Sequence, residues 1–277
     1  MAPVQYSRAA AGWNLPVWRS GGECSLFLGE WGKMVLEIII RSLKHMEIPV
    51  IYEDNHLLVV EKPVNVPVQE DQSGDPDLLT LLKQYLKVRY NKPGNVYLGL
   101  VHRLDRPVGG VIVFAKTSKA ASRLSDAFRR HDVGREYIAA VRGRMGQKAG
   151  RLEHYLAKDR KENRVSVVGR GHPEGKKAIL DYETVGQSKS LSLLKVRLLT
   201  GRPHQIRVQL SASGCPLYGD QKYGANINRP GQQLALWART LSFEHPVKKE
   251  EMVFESLPPP AEPWTRLLLS PEMSGKR

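Results

Sequence analysis

From residue 49 onward the chain alternates short apolar runs with polar punctuation. "PVIYEDNHLLVVEKP" reads as two strands around a turn at Glu53 to Asn55, the second ending at Pro63, which is a hairpin pattern. In "DPDLLTLLKQYLKVRY" the period changes: Leu78, Leu79, Leu82, Tyr85 and Leu86 recur at helical spacing, with Asp75 as the expected cap and Pro76 in the first turn. "GVIVFAK" is a continuous apolar run and predicts a buried strand; "SKAASRLSDAFRRH" predicts a helix capped by Ser118, and "REYIAAVRG" another strand. "AILDYETV", "LSLLKVRLL" and "ALWARTLSFEH" are strand-like, with one short helical candidate, Pro203 to Ser213, between them. The polar, glycine-bearing stretch 145–176 is expected as an exposed loop or hairpin and "NRPGQQ" as a loop. "LPPPAEPW" is expected to end regular structure, because proline fixes φ and lacks an N–H donor.

Strands outnumber the helices between them, and no internal repeat is present. That disfavours a doubly wound parallel fold and predicts an α+β domain: a mixed, mostly antiparallel sheet with flanking helices. Residues 46–277 are expected to form this one domain. Residues 1–45 lie outside the pattern and are expected to be a poorly ordered leader or a misassigned start. Arg8 and Arg19 without an acid in the first 22 residues give that leader a faint transit-peptide character, but it has no clear amphipathic period.

Composition narrows the partners. At 277 residues the chain can bury a full core without disulfides or metal, and it is read as a monomer. Cys24 and Cys215 are far apart and lack a CxxC partner, so a reducing, intracellular, most simply cytoplasmic setting is expected and no metal site. No run approaches the roughly 18 apolar residues of a membrane span, so a soluble protein is expected. The formal net charge is +14, and residues 101–160 alone hold fourteen Lys and Arg against six Asp and Glu. A field of that sign attracts polyanions, so the expected partner is nucleic acid.

Three segments concentrate the chemistry: His102-Arg103-Leu104-Asp105 with Arg106 and Gly109-Gly110, then Arg135-Glu136-Tyr137 heading a strand, then "LLTGRPHQIRVQLSASGCPLYGDQKYG" over 198–224. Singly, an Asp between arginines is ordinarily a surface ion pair, and a Tyr at a strand start is ordinarily core. Taken in order, they resemble the RluA-type pseudouridine synthases, over about residues 49–258. That family's HRLDxx(T/V)(S/G)G pattern is met by His102 to Gly110. Its basic-x-Tyr strand is met by Arg135 to Tyr137, its TGRxHQIRxH by Thr200 to Gln209, and its GxPxxGDxxYG by Gly214 to Gly224.

The resemblance implies an isomerase acting on uridines in structured RNA, with rRNA favoured over tRNA, and no cofactor; P-loop and GxGxxG patterns are absent. It implies that Asp105 is the catalytic carboxylate, as nucleophile or as base toward the ribose, and that Arg207 is its buried partner. Tyr137 is implied to lie against the uracil, either helping to remove the C5 proton or only stacking. Arg103 is similar to the arginine that enters the helix stack where the base leaves, with a plain phosphate contact as the alternative. His102, Arg106, Arg202 and His204 complete the expected RNA-contacting set. Lys62-Pro63 match a KPxGxxV segment in which Asn65 replaces glycine, a change that Asn tolerates at positive φ. Gln209 and Trp237 stand where histidine is frequent. A non-catalytic RNA-binding or ribosome-assembly protein of the same fold would have lost Asp105, Tyr137 or Arg207. An aspartate-nucleophile hydrolase should carry an acid cluster beside Asp105, and neither pattern is met.

Overall fold

The computed structural model describes Val4–Tyr6 and residues 48–268. Its frame is a sheet of twelve strands among the described residues: β1 (Val4–Tyr6), β2 (Val50–Glu53), β3 (Leu57–Lys62), β4 (Gly99–Leu100), β5 (Gly109–Ala115), β6 (Gly134–Arg142), β7 (Ala149–Asp159), β8 (Arg164–Val168), β9 (Lys176–Gln187), β10 (Leu191–Leu198), β11 (Leu236–Glu244) and β12 (Glu251–Glu255). The main path runs β2-β3-β5-β11-β6-β10-β9-β7-β8, with β4 on β5 and β12 on β11. Only β5–β11 and β1–β12 pair in parallel. The sheet is therefore mixed and mostly antiparallel.

The apolar runs are continuous in the middle strands because both faces of the sheet are covered. On one face Leu58, Val60, Ile112, Phe114, Ala139 and Val196 pack with helices α1 (Leu78–Arg89) and α3 (Gln205–Ala212). On the other, Leu57, Val59, Val111 and Val113 meet α2 (Ser118–Arg130), while Ile138, Ala140 and Trp237 meet α4 (Trp264–Leu268). α1 buries Leu78, Leu81, Leu82 and Leu86, each contributing about 1.5–3 kcal/mol relative to exposure.

Several local expectations shift. The cap of α1 is Asp77, whose carboxylate accepts the Thr80 N–H at 3.0 Å. Asp75 instead pairs with Arg106, so of the two acids in "DPD" the second, nearer to the first turn, takes the cap. Thr117 rather than Ser118 caps α2, its hydroxyl accepting the Ala120 N–H at 3.2 Å. The stretch 145–176 is a hairpin, with β7 and β8 paired antiparallel from Tyr155–Val168 to Asp159–Arg164. Regular structure does not stop at the proline run: α4 follows it, because Trp264 and Leu267 have an apolar site to fill. Of residues 1–45 only β1 is described, and the expectation of a leader otherwise lies outside the described residues.

The glycines at the head of β5 are explained by β11. A Cβ on Gly109 would collide with the Trp237 ring, and one on Gly110, at φ +114, with the backbone of Ala238. What approaches these glycines closely is the neighbouring strand. One row crosses the sheet there: Lys62, Gly110, Ala238, Tyr137, Val196 and Tyr182 are successive lateral partners. This row sets the floor under the loop that carries Asp105.

Candidate active site

The three chemistry-bearing segments meet over that row, on the face covered by α1 and α3. Residues 101–108 form the loop from β4 into β5. Tyr137 is the fourth residue of β6, and Arg207 sits in the first turn of α3. Together they line a cleft of about 960 Å³, bordered by Arg103, Arg106, Arg129, Arg135, Lys158 and Arg202.

Asp105 Oδ2 accepts a hydrogen bond from Arg207 Nη1 at 3.2 Å. Arg207 is held from behind by Asp220, which accepts from Nε at 2.8 Å and from Nη2 at 2.9 Å. Asp220 is fully buried and its Oδ1 also accepts the backbone N–H groups of Lys222 and Tyr223, at 3.0 and 3.1 Å. The result is a chain, Asp105–Arg207–Asp220, in which the inner carboxylate fixes the guanidinium and the guanidinium presents its remaining edge to the outer carboxylate. Burial alone would lower the Arg207 pKa, but the Asp220 hydrogen bonds and the charges of Asp220 and Asp105 outweigh it and raise the value.

Lys62 is the second buried cation. It is wholly inaccessible, and its ammonium donates to the carbonyls of Pro63 at 2.8 Å, Arg106 at 2.9 Å and Val108 at 2.8 Å. Burial pulls its pKa down to about 7, while the charge of Asp105 works to raise it. A neutral amine has only two N–H donors, so the three carbonyls together favour the ammonium form. Lys62 thus ties the segment just after Asp105 to β3.

Tyr137 is buried and pushed up to about 12, first by burial, with the Asp105 charge adding and Arg135 opposing. It is a phenol at neutral pH. His102 borders the cleft but is engaged with the scaffold: its ring stacks on Phe128 at 4.5 Å and its Nε2 accepts the Val113 N–H at 3.2 Å. Burial, helped by Arg135, holds its pKa down to about 3, so the imidazole is neutral. His204 caps α3 from the left-handed region at φ 51, with Nδ1 2.6 Å from the Tyr223 hydroxyl. That hydroxyl also accepts the Val165 N–H at 2.9 Å, which ties His204 to β8 through Tyr223. Arg106 is drawn to Asp71 and Asp75 and donates to the Asn65 carbonyl at 3.1 Å. Asn65 takes φ 63, the conformation its place in the KPxGxxV segment requires. Arg202 donates to the Lys177 carbonyl at 2.9 Å, and Arg103 is exposed, with no carboxylate partner among the described residues.

Two residues of this site were not singled out by their type. Asp220 and Tyr223 belong to the GDxxYG motif, and only the fold brings them behind Arg207. Of the departures from the motif, Gln209 is buried and donates to the carbonyls of Leu152 and Ala178, while Trp237 donates to Ser256 Oγ at 3.0 Å. Both are scaffold contacts away from Asp105. Among the described residues no group of three or more His, Cys, Asp or Glu is arranged to hold a metal ion, and no helix is long and apolar enough to cross a membrane.

The family model for RNA pseudouridylate synthase matches residues 56–212, which include Lys62, the Asp105 loop, Tyr137 and Arg207. The chain belongs to this family. Among curated relatives, ribosomal large subunit pseudouridine synthase D of Yersinia pestis is 34% identical over 230 residues, covering 77% of this chain and 68% of the relative. The uncharacterized RNA pseudouridine synthase YhcT of Bacillus subtilis is 33% identical over 213 residues, covering 76% and 68%. Among solved structures, human RNA pseudouridylate synthase domain containing 4 superposes with a TM-score of 0.67 at 23% identity, over 82% of this chain and 94% of that one, and shows the same fold. Human RNA pseudouridylate synthase domain containing 1 gives 0.61 at 27% identity, over 77% and 84%. As a pseudouridylate synthase the chain is an isomerase that converts uridine in RNA to pseudouridine.

Proposed function

We propose that this synthase acts on ribosomal RNA of the large subunit, with Asp105 as the reacting carboxylate. The observation that carries the catalytic assignment is the Asp105–Arg207–Asp220 chain at the floor of the basic cleft, with Tyr137 beside it. The substrate reading is supported by the relatives named for the large subunit. In the reaction the N1–C1′ bond breaks, the uracil turns, C5 bonds to C1′, the C5 proton leaves and N1 gains one. The balance closes without an external reagent. Asp105 supplies the electron pair that accepts or deprotonates the sugar as the base departs. Arg207 keeps that carboxylate aimed, and the Tyr137 ring faces the turning base. The Tyr137 phenol is protonated at neutral pH, so it serves C5 proton removal as the phenolate, formed when its own proton first passes to solvent.

The test is to incubate the protein separately with unmodified rRNA and tRNA transcripts and to map pseudouridines at nucleotide resolution. New pseudouridine in large-subunit rRNA that Asp105→Asn does not form, with the variant still folded and RNA-bound, is expected. Turnover by pure Asp105→Asn above a small percentage of wild type overturns the role of Asp105, and modification of tRNA alone overturns the substrate.

A further inference from the structure

We propose that Arg135 is the anchor for the phosphodiester of the flipped nucleotide, holding the ribose at Asp105 while the base turns. The proposal rests on reading the cleft as the uridine site. Several buried or half-buried cations already have anions: Arg207 has Asp105 and Asp220, Lys116 has Glu53, and Arg106 has Asp71 and Asp75. Arg135 has no carboxylate partner among the described residues, and its Nε is buried without any hydrogen-bond partner. Its guanidinium is nonetheless fixed. It lies 6.0 Å from the centre of the Phe128 ring, and Nη1 rests on Gly201, where a Cβ would collide with it. A cation held in place with unused donors and no counter-ion is a ready anion site, because its desolvation is offset only when the anion arrives.

Position names the anion. Overlapping the cleft is a small pocket of about 90 Å³ lined by Asp105, Tyr137, Ile206 and Leu236. Arg135 borders both spaces, as do Arg103 and Arg202, but it alone of the three has a buried Nε without a hydrogen-bond partner. A base in the small pocket puts its C1′ at Asp105 and leaves its phosphate at the junction, where Arg135 stands. The planar fork then takes two phosphate oxygens. Gly201 is part of this device, since any side chain there would displace the guanidinium. Exposed Arg103 and Arg129 at the cleft's border supply field; Arg135 supplies register.

The probes are uridine, uridine 3′,5′-bisphosphate and inorganic phosphate, titrated by ligand-detected NMR against wild type, Arg135→Gln, Arg135→Lys, Gly201→Ala and, as a control for general charge, Arg129→Gln. Wild type is expected to bind the bisphosphate at least about tenfold more tightly than uridine or inorganic phosphate. Arg135→Gln and Gly201→Ala should erase that gain, Arg135→Lys should keep part of it, and Arg129→Gln should keep nearly all. A gain that survives Arg135→Gln, a loss as large in Arg129→Gln, or no gain in wild type overturns the assignment. Inorganic phosphate binding as tightly as the bisphosphate overturns it in favour of a free-anion site. If Arg135→Gln does not fold, Arg135→Lys and Gly201→Ala decide. Pseudouridine formation on rRNA by the same wild-type sample reports the enzymatic reading separately, so an active enzyme without the phosphate gain sinks only the Arg135 proposal.

Discussion

Replacing Asp220 by Asn tests the inner half of the carboxylate chain. The change keeps volume and lets Oδ1 go on accepting the N–H groups of Lys222 and Tyr223, which lie at 3.0 and 3.1 Å. It removes the charge, however, and puts an NH2 donor where Oδ2 had accepted Arg207 Nε at 2.8 Å, donor against donor. Asp220 is wholly buried and Arg207 nearly so, at 7% exposure, so water cannot substitute. Breaking a buried pair by removing one partner costs about 3–5 kcal/mol, because the other charge is left uncompensated. Here Asp105 remains on Nη1 as partial compensation, which puts the expected loss near the lower end, about 3 kcal/mol. Arg207 should then swing toward Asp105, and a displacement of about 1 Å in the carboxylate proposed to react costs on the order of 10²-fold in rate. Urea unfolding followed by tryptophan fluorescence, with pseudouridine formation on the same samples, measures both. A variant within about 1 kcal/mol of wild type and fully active refutes the claim that Asp220 orients the catalytic pair.

Lys62→Met keeps the stem but leaves the carbonyls of Pro63, Arg106 and Val108 without their donor; a loss of about 3 kcal/mol or more is expected in the same unfolding assay, with activity falling alongside. His102 is protonated in the unfolded chain below its usual pKa but stays neutral in the fold to about 3, so between those values the unfolded state binds the extra proton and stability falls on acidification. His102→Phe should therefore lose less stability than wild type between pH 7 and pH 4.5, by about 2–3 kcal/mol, and an identical pH dependence refutes this. Tyr137→Phe keeps the ring and removes the oxygen: it should still detach and turn the base but release the C5 hydrogen of labelled RNA about 100-fold more slowly. Wild-type release would reduce Tyr137 to a stacking surface, and a wild-type rate rising tenfold per pH unit would mean that the phenolate is the base.

The fold class was legible because strand runs such as "GVIVFAK" are too short and too continuously apolar for surface helices, and the few helices leave no room for parallel crossovers. Motif order likewise pointed to Asp105, Tyr137 and Arg207. What could not be read was which distant group each residue meets. "DPD" offers two acids able to cap α1, and only the Arg106 contact, 31 residues away, decides that Asp75 is spent elsewhere. Gly109-Gly110 mark a close backbone approach, and only β11 laid across them in parallel register shows what approaches. Asp220 looks like a turn residue, since it does cap a turn; its second task appears only when α3 brings Arg207 onto its free edge. Local chemistry is encoded locally, whereas partnership depends on the sheet.

That distinction also changes what the net charge of +14 means. Total charge fixes the sign of the partner, but the cations bordering the cleft divide by what already holds them. Arg207 is paired with buried and half-buried carboxylates and Lys62 is caged by carbonyls; these shape the loop that presents Asp105, while Arg106 holds only exposed ion pairs to Asp71 and Asp75. Arg103 and Arg135 have no carboxylate partner among the described residues and are the groups proposed for the RNA. Salt should therefore act on two separate populations. Screening weakens RNA capture through the exposed unpaired groups, whereas the buried pairs are screened far less and the site keeps its geometry. Affinity should fall with ionic strength well before the rate constant of the bound complex does, as expected of a site assembled before its substrate arrives.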